Sequence, residues 1–184
     1  MDKTEITRDP PRTNSGMSEQ HRGLAARVLE DSKLVAQALL PRTKAYHQIW
    51  VEGVKLKLDD SDYADPLYGK TYLPRKFKVG FATPPHNDTD VLTNCLGFVA
   101  IEENGELAGY NLTAGGGMGM THNNAKTYPR VADVIGFFTP EHIEAVAKSV
   151  LTVHRDFGDR TDRKHARLKY VLADRGVEWF LGEL

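Results

Sequence analysis

Lys76 and Lys78 are the residues whose type and spacing most directly suggest chemistry. They lie in Leu73-Pro74-Arg75-Lys76-Phe77-Lys78, where three cations surround one aromatic after a proline. Extended backbone alternates its side chains, so a strand here projects Lys76 and Lys78 together, with Arg75 and Phe77 on the other face. Two ammonium groups held that close repel unless solvent or an anion lies between them. An anion grip and an exposed edge strand guarded by lysine are both compatible with this segment.

The elements around it follow in order. Residues 1–17 are polar, carry Pro10-Pro11 and read as a loose tail. Ser18 is the expected N-cap of a helix with Leu24, Ala25, Val28, Leu29, Val35 and Leu39 on one stripe, ended by Pro41. Tyr46–Val51 and Val54–Leu58 form an expected hairpin about Glu52-Gly53, followed by an aspartate-rich loop to Asp65. Leu73–Ala82 is the lysine-bearing strand, and Pro84-Pro85-His86-Asn87-Asp88 is turn chemistry. Asp88 and Asp90 fit caps of a short helix better than a metal site with His86.

Gly97 to Thr113 reads as a hairpin around Asn104-Gly105, a type I′ pair. A plain two-residue turn pairs Glu103 with Glu106, Ile101 with Ala108 and Val99 with Tyr110 on the core face. Phe98, Ala100, Gly109 and Asn111 then form a lightly furnished face open to a large ligand. Gly115-Gly116-Gly117-Met118-Gly119 is either a flexible loop or a ligand platform, and matches no phosphate-loop fingerprint. Thr139-Pro140-Glu141 starts a helix whose stripe is Ile143, Val146, Ala147, Val150 and Leu151, with His142 on its surface. Between Arg155 and Lys169 six cations face three aspartates. Asp159 or Thr161 is the expected cap of a helix ended by Gly176, with Arg163 and Arg167 sharing a face. Cations at that helix start oppose the macrodipole, so either the aspartates or an external anion must compensate.

Length and composition fit one soluble domain: 184 residues, 40% hydrophobic, 27% charged, formal net charge -1. That balance excludes a wholesale basic nucleic-acid binder. The single cysteine, Cys95, excludes an internal disulfide framework and a cluster held by several thiolates of this chain. No apolar run suits a bilayer and no signal-type core opens the chain, so a cytoplasmic location is expected, with no membrane partner.

Together, Leu40-Pro41-Arg42-Thr43-Lys44-Ala45-Tyr46, Tyr72 through Lys78, Pro84-Pro85 with Asn87-Asp88, Phe98–Ile101, Asn104-Gly105, Gly115–Gly117 and Arg155-Asp156 through Lys164 closely resemble the assimilatory sulfite reductase haemoproteins. These belong with ferredoxin-dependent nitrite reductases in the sirohaem and iron–sulfur family, and the resemblance runs from Leu39 to Phe180. It implies an α+β fold of the nitrite/sulfite reductase 4Fe–4S-domain type, a mixed sheet with helices packed on it, over residues 18–184. It implies sirohaem coupled to a 4Fe–4S cluster and reduction of sulfite to sulfide. By the same resemblance Lys76 and Lys78 hold the iron-bound anion and help deliver protons. Arg75, Arg155, Arg160 and Arg163 meet sirohaem carboxylates, and Gly115, Gly116 and Gly117 lie against the macrocycle. The family's cluster-ligating cysteines belong to a later domain absent here, and further pocket arginines come from segments ahead of this one. The chain is therefore expected to be a piece of a larger enzyme, a natural truncation or an excised part, inactive without its sister domain. Its electron donor would be a ferredoxin or a flavoprotein subunit. Nitrite reduction, and a non-catalytic anion- or haem-binding remnant or partner chain, are the competing expectations.

Overall fold

The computed structural model describes residues 5–6, 19–42, 49–52, 54–56 and 64–184. A five-stranded mixed sheet has the order β1-β4-β5-β6-β7. Its strands are β1 (Glu5–Ile6), β4 (Lys78–Ala82), β5 (Leu96–Glu103), β6 (Glu106–Ala114) and β7 (Asp133–Phe138). β4 is parallel to both β1 and β5, and the rest of the sheet is antiparallel. The expected hairpin after residue 48 is present as β2 (Ile49–Val51) and β3 (Val54–Leu56), with Val51 opposite Val54. Ser18, residues 43–48 and the loop 57–63 lie outside the described residues.

Four helices complete the α+β fold: α1 (Glu19–Ala38), α2 (Ile143–Phe157), α3 (Leu168–Arg175) and α4 (Val177–Glu183). α1 buries Leu24, Ala25, Val28, Val35 and Leu39, the expected stripe, and ends just ahead of Pro41. α2 buries Ile143, Ala147, Val150 and Leu151, and one 3₁₀ turn (Pro140–His142) precedes it. The Thr139 hydroxyl donates to the Glu141 carboxylate at 2.6 Å instead of capping backbone, and His142 is exposed as expected. α3 stops at Gly176, whose φ of +84° suits only glycine without strain.

The Asn104-Gly105 turn forms with both residues at positive φ, 55° and 85°. The register of a plain two-residue turn holds only for Glu103 opposite Glu106 and Glu102 opposite Leu107. A bulge follows: Glu102 faces Leu107, then Ile101 faces Gly109, leaving Ala108 as the extra residue. Ala100 therefore meets Tyr110 and Phe98 meets Leu112. The slip lines up the apolar residues of both strands, and puts Asn111 opposite Val99 instead of Phe98. The core face is consequently Leu96, Phe98, Ala100, Tyr110, Leu112 and Ala114, all buried; Tyr110 is on it as expected, while on β5 the face is the reverse of the expected one. Phe81, Phe98, Tyr110 and Phe138 form one aromatic cluster there, with centroids 4.8–6.0 Å apart.

A buried side-chain hydrogen bond joins this core to α1. The fully buried Tyr110 hydroxyl donates to the Asp31 carboxyl of α1 at 2.6 Å, and Asp31 also pairs with Arg27. Removing the hydroxyl leaves a buried acceptor short of a donor, so Tyr110→Phe is expected to cost about 1–3 kcal/mol, read from the urea midpoint. Burial, then the Asp31 bond, holds the Tyr110 phenol well above its ordinary range. The unfolded phenol ionises near pH ~10 while the folded one stays protonated, so the unfolded state binds fewer protons above that pH and stability falls as pH rises. Tyr110→Phe is expected to flatten that alkaline loss.

Candidate functional site

The site is built on the sheet face opposite the aromatic core. Strand structure begins at Lys78, not at Leu73, yet the alternation already runs through Lys76. Phe77 and Val79 are wholly buried, whereas Lys76 and Lys78 are partly exposed, so the two lysines do share a side. Arg75 sits on the preceding bend, half-buried. β4 is flanked by β5 and, over two rungs, by β1, so it is an internal strand of the sheet. The rung Val79 opposite Leu96 places Lys78 beside Cys95 on the lysine side.

Cys95 lies within electrostatic reach of three of the cations. Burial pushes its thiol up, opposed by a backbone hydrogen bond at Lys78 and by the charges of Arg167, Lys78 and Lys76. Across the next strand, Gly115 N–H donates to the Cys95 carbonyl at 2.9 Å, and Gly116 N–H to the Asn94 carbonyl at 2.9 Å. The glycine segment is thus a continuation of the sheet and not a loose loop. Gly117 and Arg130 exchange backbone bonds of 2.8 and 3.0 Å, and the Arg130 guanidinium donates to the Gly115 carbonyl at 2.9 Å while pairing with Asp133.

The reason for glycine is in part internal to the chain. A Cβ on Gly116 would lie 2.3 Å from the Leu92 carbonyl oxygen. One on Gly115, at φ +82°, would meet Arg130 and Leu172 at 2.9 Å, and one on Gly119 would meet the Arg167 guanidinium at 2.8 Å. Gly117 is less constrained, with the Lys169 stem at 3.3 Å.

The cationic segment folds differently from expectation. Residues 159–167 are turns: Asp159 accepts the Thr161 and Asp162 N–H groups and the Thr161 hydroxyl, and Asp162 accepts the Lys164 N–H. These local bonds out-compete helix, so α3 starts only at Leu168. Arg163 and Arg167 therefore do not share a helix face. Arg167 is half-buried beside the glycine segment and Arg163 is exposed; neither guanidinium has a hydrogen bond among the described residues.

Arg155 and Arg160, expected to meet a cofactor, have partners of their own. Arg155 forks onto Asp156 at 2.6 and 2.7 Å and donates to the Leu67 carbonyl at 2.6 Å. Arg160 donates to the carbonyls of Thr71, Tyr72 and Arg155. Both tie the chain leading into Pro74 onto the end of α2, and a Cβ on Gly158 would lie 2.5 Å from Pro74 Cγ. They position the lysine segment from behind. Asp156 is held below the usual carboxylate range by the Arg155 bond.

Sequence reasoning missed Arg130 and Lys169 as members of this region, and named Arg167 only as half of an arginine pair on a helix face. Lys169 was counted only as part of a charged run, and nothing in that run marks it as fully buried. Near the 3₁₀ turn at Val91–Thr93 the cap is Asn87, whose side chain accepts the Val91 N–H at 2.9 Å; Asp90 takes a left-handed φ of 48° and caps nothing. Among the described residues no group of His, Cys, Asp and Glu could hold a metal ion, and no helix is long and apolar enough to cross a membrane.

A cationic set of Lys76, Lys78 and Arg167, with Arg75 and Arg163 nearby in sequence, suits a ligand with several carboxylates, as sirohaem has. A 4Fe–4S cluster does not fit these residues alone, because the chain has a single cysteine, which is buried and free.

The sulfite reductase (NADPH) hemoprotein beta-component of Oceanobacillus iheyensis is 53% identical over 159 residues, covering 86% of this chain and 27% of that protein. Its namesake in Myxococcus xanthus is 55% identical over 150 residues, covering 82% and 26%. The chain thus spans about a quarter of the length of the curated relatives it matches. Among solved structures, the Mycobacterium tuberculosis NirA protein aligns with a TM-score of 0.49 and 28% identity, over 59% of this chain and 18% of that one. The family model described as the nitrite and sulphite reductase 4Fe-4S domain matches residues 30–184, and the chain belongs to that family.

Proposed function

We propose that this chain supplies the anion- and sirohaem-binding part of an enzyme that reduces sulfite to sulfide. The observation that carries the reading is the shared side of Lys76 and Lys78 in a chain about half identical to sulfite reductase haemoproteins. Sirohaem, when bound, supplies the iron at which the anion is reduced. Lys76 and Lys78 hold the anion by charge, shield the repulsion between its oxygens and the macrocycle's carboxylates, and donate protons as oxygen leaves. Arg75, Arg163 and Arg167 take carboxylates of the macrocycle, and the clamped Gly115–Gly117 backbone gives it a flat wall. Arg155 and Arg160 act at one remove, by fixing the approach to Pro74.

Electrons must come through a cluster and a donor held by other parts of the enzyme. The relatives' names, NADPH hemoprotein beta-component, favour a flavin-bearing reductase subunit as that donor and sulfite over nitrite as substrate. The chain is expected to acquire sirohaem's visible bands on reconstitution, yet to form no sulfide from sulfite with reduced methyl viologen. Absence of haem uptake would remove the sirohaem reading and favour a remnant; appreciable sulfide from the chain alone would show that it needs no partner domain.

A further inference from the structure

Lys169 is wholly buried on the first turn of α3, and no carboxylate pairs with it among the described residues. Its ammonium donates to the carbonyls of Gly117 at 3.0 Å, Gly119 at 2.9 Å and Tyr128, which uses all its donors. The rings of Tyr128 and Tyr170 flank it, with centroids 5.8 and 4.9 Å away. A buried ammonium at a helix N-terminus is disfavoured both by desolvation and by the macrodipole. Here only carbonyl dipoles and aromatic faces offset that cost, and all the carbonyls belong to the glycine segment or to the strand-like stretch returning beside it.

We propose that Lys169 is a positioning residue that pins the Gly115–Gly119 backbone to α3, so that the segment meets a ligand as a rigid wall. Without this bond Gly117 and Gly119 would have no tie to α3 through their carbonyls, and the freedom of four glycines in five positions would return. Because Arg167 lies over Gly119, the same pin sets where the Arg167 guanidinium sits relative to Lys76 and Lys78. The charge of Lys169 adds positive potential beneath the wall, and burial with the neighbouring Arg167 lowers its own pKa in keeping with that crowding. The consequence for cofactor binding rests on the sirohaem reading above; the mechanical claim does not.

Lys169→Met keeps the apolar stem and deletes the ammonium. Amide exchange in this chain is expected to speed up about tenfold or more at Gly117 and Arg130, which bond to each other, with Tyr110 and Leu112 in the central hairpin unchanged. Sirohaem, followed by its visible band, is expected to bind about tenfold more weakly. Unchanged exchange at Gly117 and Arg130 in the folded variant overturns the proposal, and so does uniform acceleration of hairpin and glycine segment, which would mean a general loss of stability. If Lys169→Met does not fold cooperatively, Lys169→Gln, with a shorter neutral donor, is read by the same local-against-hairpin criterion. If the unmodified chain takes up no sirohaem, the sirohaem reading falls while the exchange comparison still decides the role of Lys169.

Discussion

In the complete enzyme, replacing Lys76 and Lys78 together with alanine is expected to abolish sulfite reduction while leaving sirohaem incorporation intact. Each single change is expected to lower kcat by about a hundredfold to a thousandfold, the usual effect of deleting one preorganised charged donor at a reacting anion. The pair lies on one side of the chain, so both charges can reach one anion, whereas a single lysine leaves part of its charge unneutralised. Their stems carry little of the fold: the buried neighbours are Phe77 and Val79, so stability is expected to change by less than about 0.5 kcal/mol. Steady-state rates with sulfite, set beside the visible spectrum of the purified variant, separate the outcomes. Full activity with normal haem content would leave the lysines a solvating role only. Loss of haem together with activity would move them from the anion to the macrocycle.

Which parts of this site were legible in the chain follows from the range of the forces involved. The shared side of Lys76 and Lys78 is a consequence of alternation, a local rule, and it survived even though regular strand begins only at Lys78. The stripes of α1 and α2, the Asn104-Gly105 turn and the Gly176 stop are equally local and are present as read. The hairpin faces were not legible, because the bulge at Ala108 is decided by packing across the sheet. Aligning Phe98 and Ala100 with Tyr110 and Leu112 over α1 gains more than the lost ladder bond costs. Asp159 or Thr161 is the expected cap of a helix running to Gly176, but Asp159 and Asp162 capture the local N–H groups in turns instead. The glycine segment left flexibility and platform open; the choice depends on bonds to Cys95, Asn94, Arg130 and Lys169, all distant in sequence. Arg155 and Arg160 stand out in the sequence by charge alone, and the carbonyls of residues 67–72 that they bond are too far off in the chain for the charged run to announce them.

The placement of the lysines depends on the aromatic between them, which makes Phe77→Ala the most damaging single change expected in this segment. Phe77 is wholly buried and stacks on the His154 ring of α2, centroids 5.8 Å apart and planes 25° from parallel. His154 is itself buried and its Nε2 bonds to the Ala166 carbonyl at 3.0 Å, in the turn leading to Arg167. One side chain therefore joins the lysine segment, the second helix and the arginine-bearing turn. Truncating a buried phenylalanine costs about 3–5 kcal/mol, a large part of the ~5–15 kcal/mol that holds a domain together. Urea unfolding is expected to show that loss. Where the variant stays folded, the lysines lose their anchor and a displacement on the order of 1 Å is enough for about a hundredfold drop in rate. Phe77→Leu retains most of the buried volume and is expected to recover most of the stability but less of the rate, because stacking on His154 fixes the direction of the segment as well as its depth. A stability loss below about 1 kcal/mol for Phe77→Ala would mean that the site collapses around the gap, and that Pro74 with Arg155 and Arg160 holds the lysines without help from the ring.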